Sequence, residues 1–107
     1  MSFRESQDAV DRWVGQFEEG YFPPLANVAR LAEEVGELAR EVNHHFGPKT
    51  KKPDEQLGSI PMELADILFV VICIANSQKI DLDAAFAQMM TKVTVRDAGR
   101  WTKKKGG

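Results

Sequence analysis

Residues 62–75 form the segment that most restricts the fold, because they are apolar on every side of a helix except at Glu63 and Asp66. A helix that is apolar all round is usually buried in the interior of a protein. Ser59 is a favourable N-cap for such a helix. We therefore predict a helix from about residue 59 to residue 79 and expect it at the centre of a helical packing.

The remaining segments repeat apolar residues at helical spacing and give almost no strand signal. A first helix is predicted to end near Gly20, a second to run from about residue 24 to 45, and a fourth to follow Asp81 as its N-cap. The second helix has a continuous apolar stripe, which is typical of a packed bundle helix. The stripe consists of Val28, Leu31, Val35, Leu38 and Val42. We predict an all-α bundle of four helices, with a loop at residues 47–58 and with the second and third helices antiparallel.

The length of 107 residues fits one domain, which we place at residues 1–102. The basic tail at residues 103–107 is predicted to be disordered. A single domain of this size buries only a modest core. We therefore expect self-association to complete the four-helix bundle.

Charge and cysteine content exclude several classes of protein. The net charge of -2 gives no basis for nucleic-acid binding. The single cysteine, Cys73, excludes an internal disulfide framework and favours an intracellular location. No secretory signal opens the sequence, and the longest apolar stretch, residues 67–75, is too short to span a membrane. We therefore expect a soluble cytoplasmic protein with neither a nucleic-acid nor a membrane partner.

Two short motifs place pairs of carboxylates on predicted helices, namely Glu34-Val-Gly-Glu37 and Glu63-Leu-Ala-Asp66. Residues i and i+3 share one face of a helix, so each motif projects two carboxylates from one side. If the two faces meet, four hard oxygen donors converge, and such a donor set suits Mg²⁺ or Mn²⁺. The spacing therefore predicts a divalent metal site between the second and third helices.

The first motif taken alone also fits an ordinary solvated helix face, whose acids pair with nearby arginines. The residues concerned are Glu34, Glu37, Glu41, Arg30 and Arg40. The second motif favours a metal, because Asp66 shares its face with Phe69 and Cys73, and a carboxylate among apolar neighbours needs a compensating cation. One arginine or lysine would not balance so many acids, whereas a shared metal ion would.

A Mg²⁺ ion that carboxylates hold with open coordination positions is well suited to binding phosphate oxygens, so we expect a polyphosphate substrate. Lys92 and Arg96 lie one turn apart on the fourth predicted helix and are candidate phosphate contacts. They are equally well explained as solvated bases that complement the dipole at a helix C-terminus.

Three stretches carry a family resemblance: Leu31-Ala-Glu-Glu-Val-Gly-Glu-Leu38, Glu63-Leu-Ala-Asp-Ile-Leu-Phe69, and Asn76 with Ile80-Asp-Leu82. In this order and at this separation they resemble the MazG-like nucleotide pyrophosphohydrolases of the all-α NTP pyrophosphatase superfamily. The resemblance runs from about Trp13 to Trp101. Order and spacing make it more specific than either short motif alone.

The resemblance implies an enzyme that hydrolyses a nucleoside or deoxynucleoside triphosphate to the monophosphate and pyrophosphate, in the house-cleaning of the nucleotide pool. It implies that Mg²⁺ is held at the positions matching both motifs, with Mn²⁺ as a substitute. Those positions are Glu34, Glu37, Glu63 and Asp66. Either Glu33 or Glu34 would orient or deprotonate the attacking water.

The resemblance also implies where the nucleotide binds. Lys92 and Arg96 match the phosphate-contacting segment of the family, and Asn76 contacts the nucleotide or satisfies a helix backbone. Trp13 is a candidate for the base pocket, with Phe17, Tyr21 and Phe22, although the spacing of Trp13 and Phe17 is explained more simply by a core stripe. Relatives of this size form dimers or tetramers in which neighbouring chains line the pocket.

Two other functions fit parts of the sequence. A di-metal carboxylate bundle would use Glu41-Val-Asn-His44, but that class requires a second Glu-x-x-His motif, which the sequence lacks. A helical interaction module without enzymatic activity would use the acidic patch to bind a basic partner. Such a module predicts no metal-dependent hydrolysis.

Overall fold

The structure, a computed structural model, describes residues 2–47 and 59–106, and these residues form four helices and no strand. The helices are α1 (Phe3–Val14), α2 (Pro24–Phe46), α3 (Ile60–Ser77) and α4 (Leu82–Arg96). The all-α prediction is confirmed. The first helix ends earlier than predicted, at Val14, and turns occupy the residues before Gly20. Apart from Gly47, the predicted loop at residues 47–58 lies outside the described residues.

Polar side chains begin three of the four helices. The Ser59 hydroxyl accepts a hydrogen bond from the Met62 amide at the start of α3. The Asp81 carboxylate accepts from the amides of Asp83 and Ala84 at the start of α4. A capping box formed by Ser2 and Glu5 begins α1. These contacts satisfy amides that a helix leaves unpaired at its start, and they confirm the N-caps predicted at positions 59 and 81.

α3 lies at the centre of the packing, as its composition predicts. α2 packs along one side of α3, α1 contacts both α3 and α4, and the two amides of Phe3 and Arg4 donate to the Asp83 carboxylate. The buried apolar side chains all belong to α3, and they are Val70, Ile72, Cys73 and Ala75. The core of the single chain is therefore small and is centred on one helix.

Three of the five residues in the apolar stripe of α2 are exposed, and this corrects the interpretation of the whole stripe as the packed face of the helix. Val28 is 53% exposed, Val35 is 49% exposed and Val42 is 40% exposed. The buried residues of α2 are instead Asn27 and Glu41. The two leucines of the stripe are half-buried. A face of mixed polarity therefore meets α3, and the three valines, which we call the valine stripe, remain open in the single chain.

The chain is also more open than a compact domain of its length. Its radius of gyration is 17.9 Å, whereas about 13 Å is typical of a compact domain of 100 residues. On the side of α3 that faces away from α2, Leu64 and Leu68 are half exposed. One chain alone therefore leaves much of its apolar surface uncovered.

By length and composition alone, α3 could cross a membrane. A core helix of a soluble protein meets the same criterion. α3 packs against α2 and α1, and it carries Glu63 and Asp66 on the side that faces α2.

Candidate active site

Three carboxylates converge where α2 crosses the N-terminal half of α3. Glu34 comes from α2, Glu63 and Asp66 come from α3, and one oxygen of each lies within 4.8 Å of the others. Further along, Arg30 of α2 contacts Phe69 of α3, so residue numbers fall along α2 as they rise along α3. The two helices are therefore antiparallel, as predicted. Oxygen donors at this separation fit a hard divalent cation such as Mg²⁺ or Mn²⁺.

Negative charge is concentrated at this cluster. The pKa of the Glu63 carboxyl is raised by its loss of hydration and by repulsion from four carboxylates around it. In decreasing order of effect these are Asp66, Glu37, Glu34 and Glu41. Four acids that disfavour the ionisation of a fifth form a site that a bound cation would relieve.

The remaining predicted acids lie around the cluster. Glu37 is exposed and outside the group of three, yet its charge reaches Glu63. Glu33 is exposed on α2, and the structure does not bring it into the group. Of the two acids predicted to act on water, the structure therefore brings only Glu34 into the group of three carboxylates.

Glu41 is the acid whose position sequence reasoning missed. Its residue surface is only 6% exposed, its charge raises the pKa of Glu63, and its Oε2 lies 3.7 Å from Nε2 of His45. The spacing of residues 34, 37 and 41 gave a usable signal, because residues three and seven apart share one helix face. Glu41 therefore belongs to the acidic face directed at α3, and at Glu34 and Glu41 that face is not an ordinary solvated one.

Asp66 is less buried than we predicted from the apolar residues on its face of α3. Its carboxylate keeps access to solvent and lies beside Glu34 and Glu63. Burial alone therefore does not force a compensating cation on Asp66. The convergence of the three carboxylates is the stronger reason to expect a metal.

A cavity of 330 Å³ begins about one helical turn from the carboxylates, since Arg30 of α2 and Phe69 of α3 line it. Its volume is within the range of small-molecule sites. Five of the eleven residues that line it are aromatic, namely Trp13, Phe17, Tyr21, Phe22 and Phe69. Trp13 is 56% exposed and stacks edge-to-face on Phe17, with ring centroids 5.1 Å apart. Trp13 and Phe17 are therefore walls of the cavity, and their interpretation as core residues is wrong.

Asn76 occupies the centre of a hydrogen-bond network behind this cavity. Its Nδ2 donates to the Gln7 carbonyl at 3.0 Å and to the Tyr21 hydroxyl at 2.9 Å, and its Oδ1 accepts from Gln7 Nε2 at 2.9 Å. The Gln7 side chain in turn joins the residues between α3 and α4, since it donates to the Ile80 carbonyl and accepts from the Leu82 amide. The amide of Asn76 therefore ties α1 to the end of α3.

The hydroxyl of Tyr21 donates to Asp11 at 2.7 Å. Loss of hydration, followed by this hydrogen bond, raises the pKa of Tyr21 to about 12. Tyr21 is the only tyrosine in the chain, so its ionisation can be followed by tyrosinate absorbance. We expect half-ionisation near pH 12 in the folded protein, against about pH 10 for an unperturbed tyrosine.

The sign of the effect on stability follows from this shift. The unfolded chain loses the tyrosine proton first, so the contribution to folding is complete below about pH 10 and is lost as the pH rises toward 12. Asp11→Asn removes the negative charge and should bring the titration partly back toward pH 10. A midpoint near pH 10 in the folded wild type would contradict the placement of Tyr21.

The structure does not bring Lys92 and Arg96 to the carboxylates of the same chain. Arg96 pairs with Asp97 at 3.3 Å, and Lys92 forms no ion pair with any described residue. An apolar groove separates α4 from α3, and its α3 side consists of Leu68, Val71 and Ile72. At about 100° per residue these three residues lie on the side of α3 opposite Asp66.

Comparison with known proteins gives a consistent result. A family model described as the MazG nucleotide pyrophosphohydrolase domain matches residues 22–101. Protein YpjD of Bacillus subtilis strain 168 is 52% identical over 106 residues, which cover 99% of this chain and 96% of that protein.

Two crystal structures share the fold. YpjD from Bacillus subtilis aligns with a TM-score of 0.77 at 52% identity, over 86% of this chain and 94% of that one. The Bacillus-conserved MazG protein, a nucleotide pyrophosphohydrolase, aligns with a TM-score of 0.76 at 46% identity, over 100% of this chain and 97% of that one. The region matched by the family model includes both carboxylate motifs and five of the eleven residues that line the cavity. The chain therefore belongs to the MazG nucleotide pyrophosphohydrolase family.

Proposed function

We propose that this enzyme hydrolyses nucleoside or deoxynucleoside triphosphates to monophosphates and pyrophosphate, with Mg²⁺ at the carboxylates between α2 and α3. The observation that carries the proposal is the convergence of Glu34, Glu63 and Asp66 within 4.8 Å beside an aromatic cavity. The cluster offers oxygen donors for a hard cation, and the cavity offers stacking surfaces for a base. The two sites adjoin, as the two ends of one nucleotide require.

At the reacting phosphate the carboxylates would have two roles, namely metal binding and activation of water. Glu34, Glu63 and Asp66 would hold the metal, and Glu37, one turn along α2, would complete the set. When bound, Mg²⁺ supplies neutralisation of charge on the phosphate oxygens. Glu34 or Glu33 orients the attacking water or accepts its proton, and the position of Glu34 within the cluster favours Glu34. Mn²⁺ has the same preference for oxygen ligands and could replace Mg²⁺.

Lys92 and Arg96 would bind the phosphates from a neighbouring subunit. Within one chain, the groove beside α4 lies on the side of α3 opposite Asp66, so a basic contact at the carboxylates is more readily supplied by a second copy. The exposed valine stripe of α2 and the open shape of the chain support such self-association, to a dimer or a tetramer.

Two residues that we predicted to contact the substrate, Trp13 and Asn76, lie at or behind the cavity. Trp13 lines it directly and would stack on the base. Asn76 would act through Tyr21, because its amide holds the Tyr21 hydroxyl and the Tyr21 ring lines the cavity. We further propose that the enzyme acts in the cytoplasm in the house-cleaning of the nucleotide pool. It would have neither a nucleic-acid nor a membrane partner.

A panel of canonical and modified nucleoside triphosphates tests the proposal. With Mg²⁺ present, at least one member should give equal amounts of monophosphate and pyrophosphate, and omission of the metal should stop the reaction. Release of inorganic phosphate in place of pyrophosphate, from every substrate that reacts, would contradict the reaction class. A complete lack of hydrolysis would instead favour the non-enzymatic interaction module.

A further inference from the structure

Among the described residues that line the cavity, Arg30 is the one cation. It is half-buried, and its guanidinium carbon lies 5.8 Å from the ring centroid of Phe22 and 5.7 Å from that of Phe69. Contact with aromatic faces stabilises the positive charge. The guanidinium group has five N–H donors, and contacts with aromatic rings supply no oxygen acceptor for them.

The contacts that the structure gives Arg30 include no hydrogen-bond acceptor. No carboxylate among residues 2–47 and 59–106 forms an ion pair with Arg30, and none of its N–H groups donates to a residue in those ranges. The nearest acids on its own helix, Glu33 and Glu34, lie one turn further along α2 and form no ion pair with it. The guanidinium nitrogens of Arg30 are not fully buried, so they can exchange solvent for a ligand. The edge of Arg30 is therefore available to a ligand in the cavity.

The direction of the Arg30 side chain decides which part of a nucleotide it would meet. Long helical side chains lean toward the N-terminus of their helix. Arg30 contacts Phe22, which precedes α2, so its guanidinium group leans away from Glu34 and toward the aromatic end. Its positive charge also reaches Cys73, two turns along α3 from Asp66. Arg30 therefore faces the base end of the cavity and not the phosphate end.

We propose that Arg30 determines base specificity by donating two hydrogen bonds to a base that presents two adjacent acceptors. This inference rests on the proposed binding of a nucleotide with its base in the cavity. Guanine offers N7 and O6, and cytosine offers N3 and O2, and both pairs match the N–H fork of an arginine. Adenine places an amino donor beside N7, and in thymine an N–H group separates the two carbonyls, so neither base matches the fork.

Binding of monophosphates tests this inference without requiring turnover. We expect the full-length wild type to bind dGMP or dCMP on the order of 10- to 100-fold more tightly than dAMP, as measured by calorimetry. Arg30→Met should reduce that ratio to near one, and Arg30→Lys should do so as well, because lysine keeps the charge but lacks the fork. Arg12→Met, which changes an exposed arginine of α1 outside the cavity, should leave the ratio unchanged.

7-deaza-dGMP separates the two possible bases, because it lacks the N7 acceptor. If guanine is the ligand, the wild type should bind the analogue more weakly than it binds dGMP. The Arg30→Met protein should bind the analogue and dGMP with equal affinity. If cytosine is the ligand, dCMP alone should show the loss in Arg30→Met. An unchanged ratio in a folded Arg30→Met protein, or a ratio that Arg30→Lys retains, would overturn the inference. Failure of the proposed hydrolysis would appear separately, as an absence of pyrophosphate release.

Discussion

Asp66→Asn should lower the rate of nucleotide hydrolysis on the order of 10³-fold and leave the helical fold intact. Asp66 contributes one of the three oxygens that converge within 4.8 Å, and an amide in its place removes a full negative charge from the metal site. Loss of several kcal/mol of charge stabilisation in the transition state corresponds to an effect of this size. Steady-state kinetics with saturating Mg²⁺, beside circular dichroism of the same sample, would measure both parts.

The stability of Asp66→Asn separates a catalytic effect from a structural one. The carboxylate of Asp66 raises the pKa of Glu63, so its neutralisation relieves repulsion in the metal-free protein. We therefore expect an unchanged or slightly higher melting temperature without metal. Glu18→Gln, at an exposed carboxylate in the turn after α1, is the matched control and should retain full activity. Normal turnover by Asp66→Asn would place the active site elsewhere.

Asn76→Leu should destabilise the protein by about 3 kcal/mol, because its amide makes three hydrogen bonds to Gln7 and Tyr21. Removal of the amide leaves the partly buried partner groups without their bonds, which costs more than the bonds themselves contribute. For a domain of this size the melting temperature should fall by roughly 10 to 20 °C. Thermal unfolding followed by circular dichroism would measure the change.

Ser77→Ala is the matched control for Asn76, since it lies beside Asn76 on α3 and loses one local hydrogen bond, to the Ile74 carbonyl. Its melting temperature should fall by only a few degrees. A direct contact between Asn76 and the nucleotide would give a different pattern. In that case KM would rise in Asn76→Leu while the melting temperature stayed near that of the wild type.

The carboxylate cluster could be predicted from sequence because it depends only on local geometry and composition. Helical spacing places the two acids of each motif on one face, and the apolar surroundings of Glu63 and Asp66 mark α3 as the central helix. Both N-caps, Ser59 and Asp81, were predictable for the same reason, since a cap is recognised within a few residues.

The contact face of α2 could not be predicted in this way. Its valine stripe has the same periodicity whether its own chain or another copy covers it, so periodicity alone assigned the stripe to the interior of the bundle. In the structure a face of mixed polarity, which buries Asn27 and Glu41, meets α3, and the three valines stay exposed. The acidic site lies at the interface between α2 and α3, so the packed face of α2 is not its most apolar face.

The residues around the cavity were difficult to assign from sequence for a related reason. Trp13 and Phe17 repeat at a spacing that fits a core stripe and a pocket wall equally well, and only the chain path after α1 distinguishes the two. The bonds between Gln7 and Asn76 join residues 69 positions apart. Such contacts depend on tertiary structure, and no local pattern in one sequence indicates them.

Titration of Mg²⁺ into the nucleotide-free protein, followed by calorimetry, tests most directly whether the carboxylates between α2 and α3 form the metal site. The wild type should bind Mg²⁺ and gain thermal stability with increasing concentration, by about 2.7 kcal/mol at 100 times the dissociation constant. Asp66→Asn should lose most of this binding, while Glu18→Gln retains it. Equal Mg²⁺ affinity in the wild type and in folded Asp66→Asn would contradict the assignment of the metal site to these carboxylates.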